Sequence, residues 1–129
     1  MTFTVTATQK NTMLNTITTS IGSGANVVVY QGSVPANADA ALGGATVLAT
    51  LPCSSTFAPG ASSGTLTANS ITQENATGTG TATFYRILTS GSAVIAQGAV
   101  GTSGSDMNLN TTSIVTGGPV VVTSFTISM

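Results

Sequence analysis

The sequence predicts an all-β protein: a single domain built as an antiparallel β-sandwich, jelly-roll-like, with one short N-terminal α-helix. Three observations point there. Stretches in which apolar and polar residues alternate recur about every 8–12 residues, separated by Gly, Ser and Asn turns. Only one stretch, at about residues 9–21, has helical period. A chain of 129 residues with no linker and no internal repeat makes one domain with room for a core.

The elements follow in order. "TFTVTAT" alternates Phe3, Val5 and Ala7 with threonines, the pattern of a half-buried strand. In "QKNTMLNTITTSIG" the period changes: Met13, Leu14, Ile17 and Ile21 share a helical face, and Gly22 closes the helix. A threonine-rich helix is intrinsically weak and needs a sheet to pack on. "NVVVYQG" is a strand, and "SVPANADAALGGA" a long loop. "TVLATLPCS" reads as a strand with Val47, Ala49, Leu51 and Cys53 on one face, then "TFAPGASSG" as a second loop and "TLTANSIT" as a short strand. "ENATGTG" turns the chain into "TATFYRILT", which the turn "SGS" joins to "AVIAQGAVG" as a hairpin. "DMNLNTT" and "VVVTSFTISM" flank a turn at "TGGP".

Composition narrows the function. Charged residues make up 4% of the chain, and net charge is −1. A globular protein ordinarily carries roughly 25%. Lys10 and Arg86 are the only cations, too few for nucleic acid or an anionic membrane. Charge is also what keeps proteins apart in solution, so a neutral surface points to burial in an assembly. Disorder does not fit a 41% hydrophobic chain of positive mean hydropathy, +0.41. The N-terminal residues have neither a basic start nor an apolar run, no segment is long enough to span a membrane, and the single Cys53 reads as a buried small hydrophobe. Synthesis in a reducing cytoplasm without secretion is therefore expected.

Catalysis finds little to work with. Histidine is absent, so no Ser–His–Asp or Cys–His arrangement exists. A Ser–Lys pair would need Lys10, which reads as a solvated lysine at the start of the helix. Asp39 and Glu74 would make a carboxylate pair only without the aromatic platform a sugar needs, and both fall in loops. "GSGAN", "TGTGT" and "TGGP" are turns rather than phosphate loops, since no lysine follows. No enzyme is expected, and no catalytic, cofactor-binding or metal-ligating residue is assigned. In "DMNLN", Asp106, Asn108 and Asn110 have the spacing that opens a calcium loop. Thr111 stands where glycine is needed and no later carboxylate follows, so a strand burying Met107 and Leu109 is the reading and a weak cation site the alternative. Arg86, on a strand, is expected to pair with a carboxylate (Asp106 or Glu74) or with carbonyl groups; a subunit contact or a bound ligand is the alternative.

The helix "NTMLNTI", "VVVYQGSVPANAD", "TVLATLPCSS", "GTLTANSIT", "GTATFYRILTSGSAVIAQGAVGTSGSDMNLNTT" and the closing "VVVTSFTIS" together resemble small structural proteins of tailed bacteriophages and prophages, from about Lys10 to the end. The resemblance implies a virion component, above all a capsid cement or decoration protein on the head exterior. It implies the major capsid protein as partner and a homotrimer matching three-fold capsid axes. It carries over no site residue. Alternatives are another virion part (tail, neck or fibre-associated) or a receptor- or glycan-binding module stacking sugars on exposed Tyr30 or Tyr85. Loop length makes residues 33–45 and 54–64 the expected contact segments, with the N-terminal strand as an arm. Trimming either loop is expected to weaken attachment and leave the fold intact.

Overall fold

A computed structural model describes residues 3–129. The protein is mostly β with one helix. Helix α1 spans Ala7–Ile21, and eleven strands follow: β1 (Asn26–Gln31), β2 (Thr46–Pro52), β3 (Thr65–Thr67), β4 (Glu74–Asn75), β5 (Gly80–Thr81), β6 (Phe84–Leu88), β7 (Val94–Gly101), β8 (Met107–Leu109), β9 (Ser113–Ile114), β10 (Pro119–Val120) and β11 (Val122–Ser128). Seven strands form one sheet in the order β2-β1-β6-β7-β8-β11-β3, while β10 pairs with β4 and β5 with β9. The sheet is mixed: its pairings are antiparallel except one, where β7 and β8 run parallel with Val100 opposite Met107.

The expected N-terminal strand is not one. Its first residue, Thr2, lies outside the described residues; residues 3–6 pair with no strand, and Phe3 is 87% exposed. Thr6 instead caps the helix, its hydroxyl accepting from the Gln9 amide at 3.1 Å, so α1 opens two residues earlier than the period indicates. Leu14 and Ile21 are buried and Ile17 half-buried, but Met13, roughly 100° round the axis from Leu14, is 41% exposed. Gly22 ends the helix as expected, its amide donating to the Thr18 carbonyl at 3.2 Å. No helix among the described residues is long and apolar enough to cross a membrane.

Strand β2 departs from simple alternation. Val29 pairs with Ala49 but Tyr30 with Val47, which leaves Leu48 as an extra residue in a bulge. Leu48, Ala49 and Leu51 are all buried, and Val47 is turned outward at 43% exposure. The face expected to hold Val47, Ala49, Leu51 and Cys53 is therefore split, and Cys53 is only half-buried.

The seven strands do not lie flat. The Ala68 amide donates to the Phe125 carbonyl on β11 at 3.0 Å, and the Thr72 amide donates to the Pro52 carbonyl on β2 at 2.9 Å. Four residue steps reach at most about 14 Å. In a flat sheet the five strand spacings between β2 and β11 would take roughly 24 Å. The sheet therefore curls, and residues 68–72 tie its edges together. Inside lies the core: Leu14 and Ile21 from the helix with Val27, Val29, Leu48, Leu51, Leu66, Tyr85, Ile87, Met107 and Phe125. The outer face of β1 and β6 carries a second, smaller cluster of Val28, Tyr30 and Phe84, against which Leu42 and Ala45 pack.

Candidate interaction surface

The two expected contact segments lie on opposite faces of β1 and β6. Residues 33–45 cover the outer face, where Tyr30 and Phe84 stack with ring centroids 4.9 Å apart and planes 12° from parallel. Residues 54–64 belong to the inner side: Phe57 and Ala58 are buried in the main core, and Phe57 meets Phe125 edge to face at 5.6 Å. Helix side chains hold the same segment, Asn15 Oδ1 accepting from the Ala61 amide at 2.8 Å and Asn11 Oδ1 from the Gly64 amide at 2.9 Å. Asn69 fixes its start, donating through Nδ2 to the Thr56 carbonyl at 2.9 Å.

Residues 33–45 are held by Arg86. Its side chain is 5% exposed, and its hydrogen bonds run to oxygens without formal charge. Nε donates to Gln97 Oε1 at 2.9 Å. Nη2 donates to the Ala40 carbonyl at 2.6 Å and, at 3.5 Å, to the Asn37 carbonyl. The carbonyl alternative for Arg86 holds, and the suggested partners Asp106 and Glu74 do not. Both carboxylates are exposed: Glu74 on β4, Asp106 just before β8. Gln97, absent from the sequence reading, completes the clamp: it is the register partner of Arg86 and donates through Nε2 to the Pro35 carbonyl at 3.0 Å. Burial raises the Tyr30 phenol above its ordinary pKa, and the nearby positive charge of Arg86 opposes that rise.

Tyr30 and Tyr85 are both buried, at 4% and 3% exposure, which removes the exposed sugar-stacking platform. "DMNLN" contains β8, with Met107 and Leu109 buried as expected. The two asparagine amides are occupied within the chain. Asn108 Nδ2 donates to the Ser105 carbonyl at 3.2 Å and to Ser124 Oγ at 2.9 Å, while its Oδ1 accepts from the Ser105 amide at 3.2 Å. Asn110 Oδ1 accepts from the Val121 amide at 3.1 Å, fixing the excursion between β8 and β11.

Depressions mark the surface, and two of them bear on function. One, about 290 Å³, opens where residues 67–71 part from β11 and is lined by Thr, Ser and Asn residues together with Ala68, Ile71, Val122 and Phe125. The other, about 380 Å³, is apolar apart from Lys10 and Thr4: Phe3, Val5, Met13 and Met129 surround it. Neither is lined by an Asp or Glu side chain. Among the described residues, Cys53, Asp39, Glu74 and Asp106 form no group of three that would hold a metal ion. The arrangement offers hydrogen bonds, small apolar contacts and shape. Comparison with protein-family models, with curated proteins and with solved structures gives no match.

Proposed function

We propose that this chain is a non-enzymatic structural subunit of a tailed-phage virion, a cement protein that binds the outer head surface and bridges capsomers. The observation that carries the reading is how the few charges are placed. A chain with two cations buries one of them, Arg86, to hold a loop, leaving the outside to Lys10 and three carboxylates. A nearly neutral surface of Thr, Ser and Asn suits wet, hydrogen-bonded contacts among identical neighbours. The sequence resemblance to phage structural proteins points the same way. On this reading the partners are the major capsid protein and two further copies of the chain, and the curled sheet is a two-layer sandwich of jelly-roll type. The protein is made in the host cytoplasm and resides on the virion.

The test is immunogold electron microscopy of particles from the phage or prophage that encodes the chain. Gold over the head surface supports the cement reading. Gold on the tail or neck replaces it with the other virion assignment, and particles free of label overturn both.

A further inference from the structure

We infer that Arg86 is an internal organising cation for residues 33–41, and that the loop shape it fixes is what the partner protein reads. This rests on the proposed function for the identity of the partner, and on the geometry of the clamp for the rest.

A guanidinium buried to 5% exposure without a carboxylate is costly, because neutral acceptors return only part of its lost hydration. The β1–β6–β7 portion of the sheet does not need it. Val28, Tyr30 and Phe84 already pack under Leu42 and Ala45, and an apolar residue at position 86 would extend that cluster. What the guanidinium adds is direction. The Ala40 and Asn37 carbonyls and Gln97 Oε1 converge on one planar fork, as ligand oxygens converge on a metal ion. Gln97 passes the constraint on to the Pro35 carbonyl. Within the loop, the Ala40 amide donates to the Asn37 carbonyl at 3.1 Å and the Asp39 amide to Asn37 Oδ1 at 3.0 Å, so one tight turn sits directly on the cation.

The consequence is a preformed epitope. Ser33, Val34, Ala36, Asn37 and Asp39 stay exposed while the backbone beneath them is fixed, and Val34 is 54% exposed. A loop ordered before contact loses less conformational entropy on binding. The complementary surface is a hydrogen-bonding protein face with a small apolar recess for Val34. The cation stays inside the molecule, and Asp39 is the one charged side chain the epitope presents.

Two measurements on Arg86→Ala test this. In the isolated protein, hydrogen exchange at the Asp39 and Ala40 amides should quicken about tenfold, the effect of losing charge-assisted hydrogen bonds. Exchange at Val27–Val29 should hold. Millimolar guanidinium should restore protection where equal sodium chloride does not. On heads, attachment should fall in parallel and recover with guanidinium. Should Arg86→Ala fail to fold, Gln97→Leu removes one arm of the clamp and gives the same two readouts. Val34→Asp, at an exposed position, should cut attachment without changing exchange elsewhere. Unchanged exchange at Asp39 and Ala40 overturns the organising role. Quickened exchange with undiminished attachment overturns the docking role and leaves the proposed function standing. If the unaltered chain does not attach to heads, the proposed function and the docking role fall together, and exchange alone still decides the organising role.

Discussion

The ring of Tyr85 lies across Gly98, its register partner on β7. A Cβ at position 98 would stand 2.5 to 2.7 Å from Tyr85 ring atoms and its hydroxyl oxygen, so only glycine leaves the ring room. Crossing there, the ring reaches Phe125 edge to face at 4.9 Å and joins β6 to β11 over the two intervening strands. Gly98→Ala should therefore destabilise by about 1–3 kcal/mol, the usual cost of overpacking. Urea unfolding measures it. A neutral Gly98→Ala would mean that the ring has another place to go.

Alkaline pH should destabilise the protein. Burial pushes the Cys53 thiol from its ordinary 9.0 up to about 11. Burial, then the negative charge of Asp106, raises the Tyr85 phenol above its ordinary 10.0. Both groups are neutral when protonated, and the folded state holds their protons to higher pH than the unfolded chain. Their contribution is whole below the unfolded values and is lost as pH rises through the folded ones. The melting temperature should fall from about pH 9 upward, Cys53 acting first between 9.0 and about 11 and Tyr85 above 10.0. A melting temperature that is level from pH 8 to 11 would contradict this. Cys53 should likewise react slowly with a thiol reagent at pH 8 until the protein is unfolded.

What the sequence made legible, and what it hid, has a common physical cause. The β6–β7 hairpin was legible because "SGS" marks its turn, with Ser92 at φ 67°. Gln97 was not, because Leu88 pairs with Val94 while Ile87 pairs with Ala96: the extra residue, Ile95, moves Gln97 rather than Ala96 opposite Arg86. The outward turn of Val47 was hidden by the similar bulge at Leu48. Period-two reasoning fails at such points because one added residue exchanges the faces of everything beyond it. The parallel pairing of β7 with β8 was hidden for another reason. Such pairs ordinarily need a crossover of a dozen or more residues, and here only residues 102–106 intervene. "TFTVTAT" has the pattern of a strand, but a pattern supplies no partner, and the Thr6 cap won. The Arg86 clamp needed three separate segments to be placed before it existed.

Chelation should leave the melting temperature unchanged. Asn108 and Asn110 direct their Oδ1 atoms at backbone amides of Ser105 and Val121, which commits one lone pair of each and fixes both side chains on their own chain. Asn108→Ala should instead cost about 1–2 kcal/mol by orphaning groups of Ser105 and Ser124. A drop of many degrees in chelator, reversed by calcium, would sink this account of "DMNLN".

The chain should self-associate, with a trimer as the expected state. Few charges oppose contact between copies, and under the proposed cement role a three-fold assembly would match three-fold head sites. Sedimentation equilibrium decides it. A monomer at every accessible concentration, with no gain on addition of heads, would remove composition as an argument for assembly.

The two long loops should respond differently to surgery, against the expectation that either could be trimmed freely. Residues 33–41 touch the sheet mainly through Arg86 and Gln97, whereas residues 54–64 put Phe57 and Ala58 into the core at 1% and 3% exposure. Phe57 also fills the space beside Phe125, and the Asn69 amide donates to the Phe57 carbonyl at 2.8 Å. Shortening 33–41 removes exposed residues and one clamp, so the melting temperature should fall only slightly while attachment to heads falls steeply. Phe57→Ala should cost about 3–5 kcal/mol, the range for opening a cavity under a buried ring. Excision of 54–64 should abolish the fold, because it also strips Asn11 and Asn15 of the amides that seat the helix on β3. Urea unfolding of the point variant, beside head attachment of the shortened 33–41 variant, separates the two roles. If Phe57→Ala is as stable as the parent, residues 54–64 are a free arm after all and return as a contact segment.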